Sequence, residues 1–378
     1  MKALILSGGG ARGAYEAGVV SSLVRHERFD IVCGTSIGAI NGVFVAQGSP
    51  EALRTLWGSM AERRITRLRP EFLALRDLIR DLRAFARDSL LGKAGDLART
   101  IGDLTRIKSP GRLTRLLGLF DETIVMEECA RYLDFAKIAI PFIITATNLT
   151  LRRSDVFFAF PGPDGPARAA AFRRNEPHAW PLTAQNYPLA VRASGAIPPC
   201  FAPVAIEVDD GSTYMFSDGA VANNSPIRQA IDAGADEITV ILVHWPNDGS
   251  REPKLRDLAH VAAIAFEIAQ EHLLEYDLKL TRRFNAAVLR GAPLPGKRYV
   301  EMRVIGPARP LQLESLGFDD QGWIDRAFAL GLEDGERACG AAGAWTVPTA
   351  PADGAARMEA HSRGGSAGHV DEPFDSPR

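Results

Sequence analysis

Cysteine is scarce in this 378-residue chain: Cys33, Cys129, Cys200 and Cys339 are the only four, widely spaced and without a CxxC pair. That is too sparse for a disulfide framework or a zinc site, and it suits a reducing compartment. Long apolar runs are missing as well. No stretch reaches about eighteen uninterrupted apolar residues, so no transmembrane helix is expected. Neither sign of charge dominates: 44 Lys and Arg stand against 46 Asp and Glu, a net charge of −2. A chain that is basic throughout is thereby excluded, and nucleic acid is not the expected partner. The N-terminal apolar run, Ala3-Leu4-Ile5-Leu6, is too short for the core of a signal peptide and reads as a first buried strand. A cytoplasmic protein is expected.

Hydrophobic residues make up 46% and charged residues 24%, so the chain as a whole is neither disordered nor fibrous. The near-zero net charge hides an asymmetry. Fourteen Lys and Arg but only seven acids lie between Met60 and Leu116, which makes that segment +7 and the rest −9. Within it Leu75, Leu78, Ile79 and Leu82 recur at helical spacing, and Arg76, Arg80, Arg83 and Arg87 form a second stripe beside them. Leu97, Ile101 and Leu104 suggest another helix, and Leu113, Leu116, Leu117 and Phe120 a third. Residues 50 to about 125 therefore read as a basic helical insertion. It interrupts a pattern of strands at 3–6, 29–33, 138–149, 156–160, 204–208, 213–216, 237–244 and 299–305. Helices are expected at 14–24, 39–46, 255–283 and 319–339, and a loop at 161–166. Apolar strands alternating with helices predict an α/β fold with a mainly parallel sheet. One domain over 1–345 is expected, then a disordered tail over 346–378, whose Pro, Gly and charge content gives it little to bury.

Two glycine-rich turns each join a strand to a helix. Gly34-Thr35-Ser36-Ile37-Gly38 is a G-x-S-x-G set whose glycines allow a sharp turn, exposing the Ser36 hydroxyl at the head of a helix. The helix N-terminus favours negative charge developing there. The motif alone is weak, and a plain glycine-rich turn is the other reading; the strand–turn–helix context favours the nucleophile. Gly8-Gly9-Gly10-Ala11-Arg12-Gly13 also satisfies the letters of the dinucleotide fingerprint. That fingerprint needs an acid at the end of the second strand. The strand ends at Cys33-Gly34, and Asp30 lies at its other end, so no cofactor is expected. The remaining functional reading is an oxyanion hole of glycine amides. Arg12 either steadies the loop or attracts an anionic head group, or is only a helix-surface charge.

A serine nucleophile needs a base. Of the seven histidines, His361 and His369 fall in the tail, and His260 and His272 on a long helix. His244, at a strand end, is the tempting one, but it lacks a glycine-rich setting. Asp218 ends an apolar strand and is followed by Gly219, Asn223, Asn224 and Pro226. Alone, Asp-Gly is a turn signal.

Taken together, four blocks resemble the patatin-like phospholipases. They are Gly8–Gly13 as the oxyanion loop, Gly34–Gly38 as the nucleophile elbow, Ala193-Ser194-Gly195-Ala196-Ile197-Pro198, and Asp218-Gly219-Ala220 with Asn224 and Pro226 after it. The likeness spans roughly residues 1–245, with Ala220 where many relatives have a second glycine. It implies a three-layer α/β/α sandwich with a mainly parallel central sheet. It also implies a Ser36–Asp218 dyad without His or metal, an oxyanion hole at Gly8, Gly9, Gly10, Arg12 and Gly13, and hydrolysis of lipid acyl esters, of phospholipids or lysophospholipids. The rival is a non-catalytic lipid-binding module on the same fold. The apolar and Arg stripes between Leu75 and Arg87 have two readings: an interfacial helix in peripheral contact with anionic membrane, or a solvated helix packed on the scaffold by its leucines. Changing Arg76, Arg80, Arg83 and Arg87 together to Gln should weaken co-sedimentation with anionic vesicles at low salt; unchanged binding would remove this role.

Overall fold

The computed structural model describes residues 1–63, 118, 120, 130–244, 258–292 and 298–340. The Arg stripe of 75–87, the helix expected near 97–104, all but residues 118 and 120 of the one expected near 113–120, and the tail from 346 lie outside the described residues.

The described strands are β1 (Lys2–Leu6), β2 (Ile31–Gly34), β3 (Phe142–Asn148), β4 (Arg153–Ala159), β5 (Ala179–Pro181), β6 (Val204–Glu207), β7 (Thr213–Asp218), β8 (Glu237–Ile241) and β9 (Glu301–Ile305). They form one sheet in the order β5-β4-β3-β2-β1-β8-β9, with β7 also paired to β3 and β6 to β7. Every neighbour from β3 to β9 along that order is parallel. The antiparallel pairs are β3–β4, β3–β7 and β6–β7.

The described helices are α1 (Gly13–His26), α2 (Ile37–Ala46), α3 (Ala52–Trp57), α4 (Gly165–Asn175), α5 (Tyr187–Ser194), α6 (Ile227–Asp232), α7 (Leu258–Leu289) and α8 (Gln321–Gly340). The period-2 alternation of the strands sorts them into two layers. Leu4 and Leu6 of β1 join a core with Tyr15, Val19, Phe44, Val191 and Phe328 of α1, α2, α5 and α8. Ala3 and Ile5 face the other way, into a core with Phe172, Ile227, Ala230, Leu274 and Leu278 of α4, α6 and α7. The expected three-layer α/β/α sandwich with a mostly parallel sheet is the fold.

Three details differ from the sequence reading. The segment taken as a loop at 161–166 gives way at Gly165 to α4, whose first turn holds Pro166. Proline is pre-organised for that place, and the helix buries only Gly165 and Phe172, so it carries no apolar stripe to read. Helix α6 and strand β5 are too short for periodicity to show. Strand β8 stops at Ile241 rather than 244, because its ladders with Leu6 and Ile305 both end there.

Helices α1 and α8 approach to backbone contact. A Cβ added at Gly331 would lie 2.0 Å from the Tyr15 carbonyl oxygen, and one at Gly18 would lie 2.1 Å from that of Phe328. No flexible side chain can give way there, so the helices themselves would have to part. Gly331→Ala should therefore destabilise the fold by about 1–3 kcal/mol or more, read as a lower urea midpoint; an unchanged midpoint would show that the crossing is looser than described.

Candidate active site

Ser36 stands between β2 and α2 with φ 56° and ψ −126°, a left-handed-side conformation that costs a non-glycine residue about 1–3 kcal/mol. The flanking glycines let the turn close. A Cβ at Gly34 would come within 2.5 Å of the Gly38 carbonyl oxygen, and one at Gly38 within 2.3 Å of that of Leu6. The main-chain N–H of Ser36 donates to Ser194 Oγ at 2.9 Å. Thr35, beneath it, shares a 2.6 Å hydroxyl contact with Thr145 and donates to the Asn223 carbonyl at 3.2 Å.

Asp218 reaches Ser36 because of how two strands share a neighbour. Val32–Gly34 of β2 pair with Phe142–Ile144 of β3, in parallel. Phe216–Asp218 of β7 pair with Asn148–Ala146 of the same strand, antiparallel. Strands β2 and β7 thus run toward each other along one flank of β3, and their ends meet. The Ser36 hydroxyl donates directly to Asp218 Oδ2 at 2.6 Å. The other carboxyl oxygen, Oδ1, accepts the Ala220 N–H at 2.8 Å. Asp218 is fully buried, and burial pushes its carboxyl up to about 7; the hydrogen bonds from Ser36 and Ala220 offset this only in part. Gly219 is required next to it, since a Cβ there would meet Thr145 Oγ1 at 2.3 Å.

The glycine loop is more finely divided than its sequence suggests. The Gly8 N–H donates to Asn224 Oδ1 at 2.9 Å. The Arg12 N–H turns to the Gly9 carbonyl at 3.2 Å, and that of Gly13 to the carbonyls of Gly10 and Ala11. These three amides, of Gly8, Arg12 and Gly13, therefore each have an acceptor within the fold. Among the described residues no acceptor lies on the amides of Gly9 and Gly10, and both glycines border the cleft at Ser36. Gly10 has φ +58°, and a Cβ on it would fall 2.0 Å from the Ser315 carbonyl oxygen, which also accepts the Ala11 N–H at 2.8 Å.

That cleft has a volume of about 30 Å³, room for about two waters. Ile197, Pro198, Pro199, Cys200, Phe266 and Leu316 give it mostly apolar walls, with Glu267, Gln270 and Ser315 as the polar side chains. Arg12 holds the loop rather than standing free. Its Nε donates to the Leu313 carbonyl at 2.9 Å and its Nη2 to Glu267 Oε2 at 3.1 Å. His244, the tempting histidine of the sequence, is held down to about 4 by burial and by the Arg12 charge. His272 turns its Nδ1 to the Ile268 carbonyl, and His26 pairs with Glu336.

The sequence reading missed Thr145 and Glu267 as parts of the site, and it quoted Ser194 and Asn224 within family blocks without giving them a role. A hydroxyl that accepts the Ser36 amide, as that of Ser194 does, leaves no spacing signal. Glu267 lies some 230 residues beyond Ser36, on a helix whose charges look solvated.

An α/β sandwich with a serine on a strand–helix elbow, a buried carboxylate bonded to it and a glycine loop alongside defines a narrow structural class. The chain belongs to the patatin-like phospholipase family, whose model matches residues 4–231. Among solved structures the chain is similar to VipD from Legionella pneumophila, at 15% identity and a TM-score of 0.37, covering 90% of this chain and 66% of that one. It is also similar to the ExoU–SpcU heterodimer from the type III secretion system of Pseudomonas aeruginosa, at 21% identity and a TM-score of 0.22, covering 74% and 51%. Both likenesses are distant, and the chain spans just under two thirds of the first and about half of the second. No curated protein sequence matches the chain. Among the described residues no helix is long and apolar enough to cross a membrane.

Removing the Ser194 hydroxyl leaves the buried Ser36 N–H without its partner, a loss worth about 1–3 kcal/mol. Ser194→Ala should lower kcat for ester hydrolysis by about tenfold with KM little changed, since it acts on the nucleophile's position and not on the cleft. An unaltered kcat would show that the elbow holds its shape without this bond.

Proposed function

We propose that the protein is a serine acyl hydrolase that cleaves acyl esters of lipids, with Ser36 as nucleophile and Asp218 as general base. The observation that carries this reading is the direct 2.6 Å bond from Ser36 Oγ to a buried carboxylate, with no histidine between them. Family membership supports the substrate class, and the geometry supports the roles.

The chemistry follows from the groups present. Ser36 Oγ attacks the ester carbonyl as its proton passes to Asp218 Oδ2. The carbonyl oxygen becomes negative and is met by the free amides of Gly9 and Gly10. Collapse of the tetrahedral intermediate breaks the carbon–oxygen ester bond, and Asp218 returns the proton to the departing alcohol. Water then attacks the acyl group on Ser36, giving its proton to Asp218, which passes it to Ser36 as the fatty acid leaves. A base must be ionised to begin the cycle and protonated to complete it. A carboxyl near 7 can do both at neutral pH, where an ordinary carboxyl near 3.8 would be a weaker base. The Arg-rich segment of 75–87 would bring the enzyme to an anionic membrane surface.

Protonated Asp218 cannot accept the serine proton, so activity should rise with pH through about 7 and then level. This limb falls close to an ordinary imidazole, near 6.5, so the variants decide the assignment. Asp218→Asn and Ser36→Ala should both abolish ester hydrolysis and fluorophosphonate labelling in folded protein, each nearly as completely as the pair, because members of one catalytic unit are not additive. His272→Ala should remain within a few-fold of the parent. A folded Asp218→Asn with parental turnover would overturn the base assignment, and a parent that takes up no fluorophosphonate at Ser36 would favour the lipid-binding module.

A further inference from the structure

We infer that Glu267 is a specificity-determining residue that sets the site against phosphate-bearing esters and toward uncharged acyl esters. The inference rests on the hydrolase reading above and concerns the head group that this same site accepts.

A phosphate next to the scissile ester would need a cation near the nucleophile. Among the described residues the cation placed for it is Arg12, on the loop beside the cleft, and its charge is already taken. Nη2 pairs with Glu267 Oε2 at 3.1 Å and Nε donates to the Leu313 carbonyl at 2.9 Å. Glu267 is fixed from its other side as well, where Oε1 accepts the Ser315 hydroxyl. Both side chains are about one-fifth exposed, so the pair is shielded but reachable from the mouth. A second carboxylate, Glu271, one turn along α7, lies within electrostatic reach of both Arg12 and Glu267. His244, the other basic group facing Arg12, is kept neutral by burial and by the Arg12 charge itself.

Among the described residues, the charged side chain lining the cleft is therefore an acid, and the adjacent cation is neutralised by it. An incoming phosphate meets Glu267 before it can meet a free guanidinium. To use Arg12 it must displace a carboxylate held by two hydrogen bonds. A neutral glyceride or simple ester carries no such cost. The substrate class is thus an acyl ester with no anion close to the reacting carbonyl.

The test compares two soluble esters below their micelle-forming concentrations, so that surface binding does not enter: dihexanoylglycerol, uncharged, and dihexanoyl phosphatidylglycerol, anionic. The wild type should favour the uncharged ester in kcat/KM by about tenfold, and Glu267→Gln, which keeps an acceptor for Arg12 but removes the charge, should shift that ratio by about tenfold toward the phosphate ester, mainly through KM. Added NaCl provides a second readout on the wild type alone. Screening should raise kcat/KM for the anionic ester, because repulsion is what holds it back. A wild type that prefers the phosphate ester and loses that preference with salt would overturn the inference while leaving the hydrolase intact. So would a folded Glu267→Gln with an unchanged ratio. Absence of hydrolysis of both esters, with no fluorophosphonate labelling of Ser36, would instead overturn the hydrolase reading on which the inference stands.

Discussion

The hydrogen bond between Ser36 and Asp218 is the contact that the rest of the architecture serves. It joins residues 182 positions apart in the chain, and it exists because β2 is short. Had β2 continued past Gly34, it would have occupied the flank of β3 that β7 now uses. The four-residue β2 leaves the last four residues of β3 without a parallel partner, and β7 pairs with three of them from the opposite direction. The turn glycines, the Thr35–Thr145 contact and the Ser217 bond to the Ala196 carbonyl all lie around this junction. The cost of the arrangement is a buried carboxyl with its ionised form disfavoured and a serine in strained backbone. Neither would persist without the surrounding bonds.

Much of this was legible in the residues. The two glycine turns sit where the strand–helix pattern placed them, and Ser36 and Asp218 emerge together at the end of the sheet. The reason is that both depend on local signals: glycines that must lie against backbone, and apolar runs that stop. The antiparallel pairing of β3 with β7 was not legible. It depends on two strand lengths and a register, which no periodicity encodes. Helix α4 escaped for a related reason, since its single buried apolar residue, Phe172, leaves no stripe.

The glycine loop of Gly8–Gly13 shows how sequence and geometry divide the labour. Its four glycines look equivalent on paper. In the fold each has a separate duty: Gly8 lies under Asn224, Gly13 against Ile37, Gly10 beneath the Ser315 carbonyl, and Gly9 against Val243. An amide that the fold leaves without an acceptor is the one most open to a new oxygen, and among the described residues of this loop those are the amides of Gly9 and Gly10.

The loop that carries Leu313 and Ser315, together with Phe266 and Glu267 of α7, lies beyond the residues that the family model matches. Ser36, Asp218 and the glycine loop lie within them. The Ser36–Asp218 junction is thus housed in the portion the chain shares with its family, while the walls of the cleft are divided between that portion, through Ile197 to Cys200, and the residues after it. Such a division lets one wall of the entrance change by substitution or insertion without disturbing the strand junction behind it.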